Sequence, residues 1–207
     1  MCSGNRRCCY CEDSVADEVE HIKPKSLYPE LTFTWENYLY ACGQCNGSKN
    51  NKYALFIGIV LTPVQPSNSP PSPGNDVFIN PRQDAPMNFF DLDLGQEIDD
   101  GTFQYLPKYG LSQSSVDYQR SEYTIEILGL NRDFLAVGRK SAALDFRARL
   151  YEYQQKKQNL NAQQLQQFQR DFKSHSYPSV WEHIKAQYQS LPEINQFFQQ
   201  FPEIQNW

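Results

Sequence analysis

All six cysteines of this 207-residue chain, at positions 2, 8, 9, 11, 42 and 45, lie within its first 45 residues. Two of the intervals, Cys8 to Cys11 and Cys42 to Cys45, are C-x-x-C, a spacing at which a tight turn can aim two thiolates at one ion. Closing the intervening segment brings both turns around a tetrahedral zinc. A structural ion of that kind contributes on the order of 10 kcal/mol to folding a module with little core of its own. Cys2 and Cys9 are left over, and Cys9 can replace Cys8 if the first turn is irregular. A disulfide framework would need an oxidising compartment, which nothing in the sequence supports.

Between the two pairs stands EHIK, residues 20–23, and the same tetrapeptide returns at residues 182–185. The neighbourhoods separate the copies. Around the second, Trp181, Ile184 and Tyr188 fall at i, i+3 and i+7, the stripe of a helix. His183 lies beside that stripe, with only His175 eight residues away, so it is expected at a helix surface or boundary as scaffold. The first copy precedes Pro24 and sits among Asn37, Asn46 and four lysines.

The positioning elements follow from pattern. EVEHI reads as a strand ended by Lys-Pro, ENYLYA as a half-buried strand making a hairpin with it, and the segment from about Cys45 as a short helix. Val19 and Ile22 cannot both face inward on a regular strand, so a kink or bulge is expected near Glu20 and His21, converging the two polar side chains. Asn37 is in register with Leu39 and Ala41, and a buried amide there needs partners, most simply in the backbone of the loop after His21.

The run C-x-Y-C-E, V-E-H-I-x-P-K-S, N-Y-L-Y-A-C, C-N-x-x-K resembles the ββα-metal core of HNH endonucleases, in the variant where asparagine takes the final position. The resemblance implies that His21 activates water, that Glu20 and Asn46 hold one Mg²⁺ or Mn²⁺ ion, and that Asn37 braces the loop. It covers about the first fifty residues. Farther on, F-I-N-P and T-I-E-I-L-G-L-N-R followed by Arg139 are similar to the HNH proteins of Septu-type and retron-associated antiphage systems, the PtuB type. That likeness implies an ABC-class ATPase as partner. The chemistry agrees: phosphodiester hydrolysis needs a deprotonated water and charge stabilisation on the departing oxygen, tasks suited to an imidazole and to a divalent ion on hard oxygen ligands. Lys23, Lys25, Lys49 and Lys52 surround this point and can meet phosphate oxygens.

The expected fold class is α+β, an N-terminal ββα-metal module with structural zinc followed by a mainly α-helical region. Residues 1–61 form the nuclease module, the proline-rich TPVQPSNSPPSPGND at 62–76 a linker or long loop, and 77–207 a mainly helical region that docks a partner. VFINP reads as a short strand stopped by proline. Phe134, Val137, Ser141, Leu144, Ala148 and Tyr151 recur as the stripe of a long amphipathic helix, and Leu165, Phe168 and Phe172 repeat the pattern. The start of the chain lacks the apolar region of a signal peptide, and the longest apolar run, YALFIGIVL, is far short of the ~20 residues of a membrane span. A soluble cytoplasmic protein is expected. The net charge of −5 gives no global attraction to nucleic acid, so a local patch or a partner must supply it. The competing reading is a zinc-stabilised module that binds nucleic acid or protein without cutting, which would need neither His21 as a base nor Asn46 as an oxygen ligand.

Overall fold

The computed structural model describes residues 6–68, 71–98 and 100–207. It has the α+β class expected, with small sheets and a cysteine cluster near the N-terminus and helices thereafter. Strand β1 (Glu18–His21) pairs antiparallel with β2 (Tyr38–Ala41), and helix α1 (Gly43–Lys49) follows at once. The pairing is unbroken, Glu18 opposite Ala41 through His21 opposite Tyr38, so the expected kink at Glu20 is absent, and Glu20 and His21 project to opposite faces instead of converging on one centre. Val19 faces solvent, and Ile22 buries because it lies past the strand's end, where its N–H bonds the Asn37 carbonyl.

Strands β3 (Ala54–Ile57) and β4 (Val60–Pro63) form a hairpin turned at Gly58, whose φ of +64° suits a residue without Cβ. Strand β5 (Asn75–Asp76) pairs with the other edge of β3, giving the order β4-β3-β5. Both ends of the proline-rich stretch 62–76 are therefore strand residues. The strand expected at VFINP is displaced to Asn75–Asp76, and Val77, Phe78 and Ile79 are buried in irregular backbone. Their amides find other partners: Val77 N–H donates to the Ala54 carbonyl at 3.2 Å, and Ile79 N–H to Thr124 Oγ1 at 3.0 Å. A further pair, β6 (Phe90–Leu92) and β7 (Tyr105–Pro107), precedes α2 (Val116–Leu128), which is capped by the Ser115 hydroxyl and closed by Gly129 at φ +58°.

The chain divides into two compact units, Met1–Asp91 with Tyr105–Arg132, and Leu92–Gln104 with Asp133–Trp207. The second is helical, with α3 (Asp133–Lys156), α4 (Ala162–Lys173), α5 (Pro178–Gln187) and α6 (Pro192–Gln200) around an aromatic core of Phe146, Tyr153, Phe172, Trp181 and Trp207. Trp181 Nε1–H donates to the terminal Trp207 carbonyl at 3.1 Å. The long helix α3 is present, but its buried face is Leu135, Arg139, Ala142, Ala143, Phe146, Leu150 and Tyr153. Phe134, Val137 and Tyr151, expected inside, are exposed. Apolar residues, large ones included, surround this helix at two phases, so spacing alone does not say which phase is buried. His183 is likewise buried, not at a surface, because α5 packs on more than one side. No helix among the described residues is long and apolar enough to cross a membrane.

Replacing Thr124 by Val keeps the shape but strands the buried Ile79 N–H. We expect Thr124→Val to lose about 1–3 kcal/mol in denaturant unfolding, whereas Thr124→Ser, which keeps the oxygen, should lose clearly less.

Candidate functional site

The Sγ atoms of Cys8, Cys11, Cys42 and Cys45 all lie within 4.8 Å of one another, and all four residues are buried free thiols. Cys11 and Cys42 stand 3.8 Å apart at sulfur, too far for a disulfide of about 2.05 Å. Zinc–sulfur bonds of about 2.3 Å in a tetrahedron place sulfurs about 3.8 Å apart, so the cluster fits a zinc ion. Cys8, and not Cys9, belongs to it, and Cys2 lies outside the described residues. The first turn is closed by Glu12 N–H on the Cys8 carbonyl at 3.0 Å, with Glu12 at φ +63°. The neighbouring Cys9 N–H ties it to the Tyr40 carbonyl of β2 at 3.0 Å. Arg132 Nη2 donates to Cys45 Sγ at 3.4 Å, a cation that offsets thiolate charge. Hydrogen bonds to Cys11 and Cys8, then burial, push the Cys45 thiol up, and a divalent cation bound here would favour the thiolate form of all four sulfurs.

His21 ends β1 half-buried, its Nε2 3.0 Å from the Thr32 carbonyl. A carbonyl can only accept, so in the neutral ring Nε2 carries the hydrogen and the Nδ1 lone pair is left to take a proton. The same carbonyl accepts from the Tyr38 hydroxyl, and its neighbour, the Leu31 carbonyl, is held by Asn37, which is 5% exposed. Lys23 N–H donates to Asn37 Oδ1 at 2.7 Å, while Asn37 Nδ2 donates to the carbonyls of Lys23 at 3.0 Å and Leu31 at 3.2 Å. The amide thus joins both ends of the loop between the strands, supplying the bonds its burial requires.

Strand alternation puts Glu18 and Glu20 on the face that meets α1, and His21 on the other. Asn46 and Lys49, three residues apart on one face of α1, match them. Asn46 Nδ2 donates to Glu18 Oε2 at 2.6 Å, and Lys49 Nζ stands 2.5 Å from Glu20 Oε1 and 2.9 Å from the His21 carbonyl. Lys49 is therefore fully buried and committed to Glu20, which corrects its expected place among the phosphate-binding lysines. Burial pushes Glu20 up and Lys49 down, each opposed by the other's charge. Of the remaining lysines, Lys23 pairs with Asp76 at 3.0 Å, while Lys25 and Lys52 are exposed. Glu18, Thr32 and Arg132 were not singled out in the sequence. Glu18 carried a signal there, two residues from Glu20 and so on the same strand face, and Arg132 closes the T-I-E-I-L-G-L-N-R run.

Lys49→Met leaves Glu20 buried without its cation and should cost about 3–5 kcal/mol of stability by denaturant unfolding. The paired replacement Glu20→Leu with Lys49→Met should recover most of that loss.

Residues 8–52 match the family model for HNH endonucleases. The Septu protein PtuB of Bacillus thuringiensis is 46% identical over 50 residues, 22% of this chain and 20% of that protein. A protein of retron Vc95 from Vibrio cholerae serotype O1 biovar El Tor, itself provisionally named an HNH endonuclease, is 46% identical over 88 residues, 36% of this chain and 41% of that protein. The chain thus spans less than half the length of either curated relative. No solved structure matches it significantly. The thiol cluster, the braced histidine and the strand–strand–helix order all fall inside the matched segment, and residues 8–52 of this chain are an HNH endonuclease domain.

Proposed function

We propose that the protein is a metal-dependent endonuclease that hydrolyses phosphodiester bonds of nucleic acid, and that it serves antiphage defence beside an ATPase partner. The observation that carries the reading is the orientation of His21. Its Nε2–H is held by the Thr32 carbonyl, which lies in the loop that Asn37 braces and also accepts from the Tyr38 hydroxyl, so Nδ1 is presented in a fixed direction as a general base. A module that only binds needs no such fixed, proton-accepting ring.

Glu18, Glu20 and Asn46 present oxygen atoms on the face shared by β1 and α1, a donor set suited to Mg²⁺ or Mn²⁺. Because His21 points from the other face of β1, the reading requires substrate to span from these oxygens to His21 around the end of the strand. Such an ion would supply charge neutralisation to the departing oxygen of the substrate. Asn46 turns its NH₂ group to Glu18, which leaves its Oδ1 to serve as a ligand. Lys49 acts through Glu20, fixing one carboxylate oxygen so that the other can serve the ion. The four thiols serve the fold and take no part in the chemistry. Lys25 and Lys52, both exposed, are proposed phosphate contacts. Glu18, Glu20 and Asn46 would supply three protein oxygens at most, so an ion held there would bind weakly without substrate.

The likeness to Septu and retron proteins supports the defence role and, with it, the ATPase. We assign docking of that partner to residues 77–207, with the solvent-facing side of α3, where Val137 is 69% exposed, as the contact.

The full-length protein, incubated with Mg²⁺ or Mn²⁺ on plasmid and on total tRNA, with and without the ATPase, tests the reading. His21→Ala should lower cleavage at least about a hundredfold, within the range for a general base, with zinc content and fold unchanged. His183→Asn should cut at the native rate per folded molecule. Native cleavage by His21→Ala would contradict the proposal.

A further inference from the structure

On the outer face of the β1–β2 pair, beside His21, lies a pocket of about 600 Å³ that the hydrolytic chemistry does not use. It is lined by Val19, Trp35, Tyr38, Leu39, Tyr40 and Arg82. The pairing dictates the company. His21 opposes Tyr38 and Val19 opposes Tyr40, so these four side chains share one face while Glu20 and Leu39 take the other. Trp35, from the loop that Asn37 braces, stands beside them. Three of the lining residues are exposed to an extent that needs explaining: Trp35 66%, Tyr40 59% and Val19 56%.

The rings run continuously from the imidazole. His21 meets Tyr38 edge-on at 5.1 Å between centroids, and Tyr38 meets Trp35 edge-on at 6.5 Å. The Arg82 guanidinium lies over Trp35 at 5.5 Å and donates to the Tyr38 carbonyl at 3.1 Å. No carboxylate among the described residues pairs with Arg82, so its positive charge remains available at the pocket's edge. Apolar planes with one open side, a charge of the sign that phosphate seeks, and a position next to the base that attacks phosphate together define the occupant.

We propose that this shelf stacks an unpaired nucleobase adjacent to the scissile phosphate, so that the substrate is single-stranded or locally unpaired nucleic acid. The inference rests on the nuclease reading of His21. A base inside a duplex has both faces covered by its neighbours and cannot use a shelf of this kind, whereas an unstacked base offers its π-face to tryptophan, tyrosine or a guanidinium whatever its sequence. Stacking also answers the charge problem. A chain of net charge −5 with few exposed cations at the site neutralises few phosphates, and aromatic contact supplies affinity that salt does not screen.

The shelf carries its own reporter. Of the three tryptophans, Trp181 and Trp207 are each 3% exposed, so emission sensitive to an added ligand comes from Trp35. The test uses the full-length chain carrying His21→Asn, to prevent cutting, with zinc content and thermal midpoint checked for each variant. Short mixed-sequence single-stranded DNA, the corresponding single-stranded RNA and the annealed DNA duplex are titrated, reading tryptophan quenching and oligonucleotide anisotropy. Quenching by a single strand is expected, with the tighter of the two strands naming the sugar. Adding Trp35→Ala should weaken single-strand binding about tenfold, Trp35→Phe should restore most of it, and duplex binding should change little. Equal single-strand affinity in Trp35→Ala, or an equal loss for duplex, would overturn the shelf. So would a Trp35→Ala protein that loses a protein partner while holding oligonucleotide normally. Because no arm depends on cleavage, failure here leaves the His21 reading standing, and failure of cleavage by the native chain leaves these titrations readable.

Discussion

Four sulfur atoms within 4.8 Å of one another close the segment that carries His21, Thr32, Asn37 and both strands of the site. The constraint is needed because the strands are four residues each, and a lone two-stranded hairpin is marginal in water. The N-terminal turn reaches β2 through the Cys9 amide, the second turn starts α1 at Cys42, and the cluster joins them. Helix α1 is thereby laid against β1 with Asn46 over Glu18 and Lys49 over Glu20. Arg132 brings α2's C-terminal side to the same sulfurs, so the unit's later helix helps to support the cluster that organises its first fifty residues.

A single pair of strands then serves two environments, because side chains alternate. Inward lie the carboxylates, the amide and a buried lysine. Outward lie the imidazole and the aromatic shelf. The buried Glu20–Lys49 pair is costly to desolvate and would be a poor choice for stability alone, since well-packed apolar residues do as well. Its geometry has a different return: the ammonium fixes one oxygen of Glu20 and, through the His21 carbonyl, the backbone from which the imidazole projects. Asn37 does the corresponding work on the other side, bracing through the Lys23 and Leu31 carbonyls the loop whose Thr32 carbonyl holds the imidazole.

The cysteine cluster, the strand–strand–helix order and the loop-bracing asparagine were legible in sequence because each depends on short spacings. The failures share a cause as well. Val19 and Ile22 were reconciled by a bulge because strand length was unknown; the strand simply ends at His21. Lys49 read as a surface lysine because nothing local says which face of a seven-residue helix is covered. The α3 stripe was read one face away from the buried one because apolar residues recur at helical spacing on both faces, and only the packing of the other helices says which is covered. Arg132 and the Ile79–Thr124 bond join residues far apart in the chain, beyond any local pattern.

The most direct measurement is zinc content by elemental analysis with X-ray absorption at the zinc edge on the full-length chain. One zinc per chain with four sulfur neighbours at about 2.3 Å is the result the account predicts, together with loss of that metal and of the folded N-terminal unit in Cys42→Ser. A metal-free protein that is fully folded, or an edge spectrum dominated by nitrogen or oxygen neighbours, would contradict it.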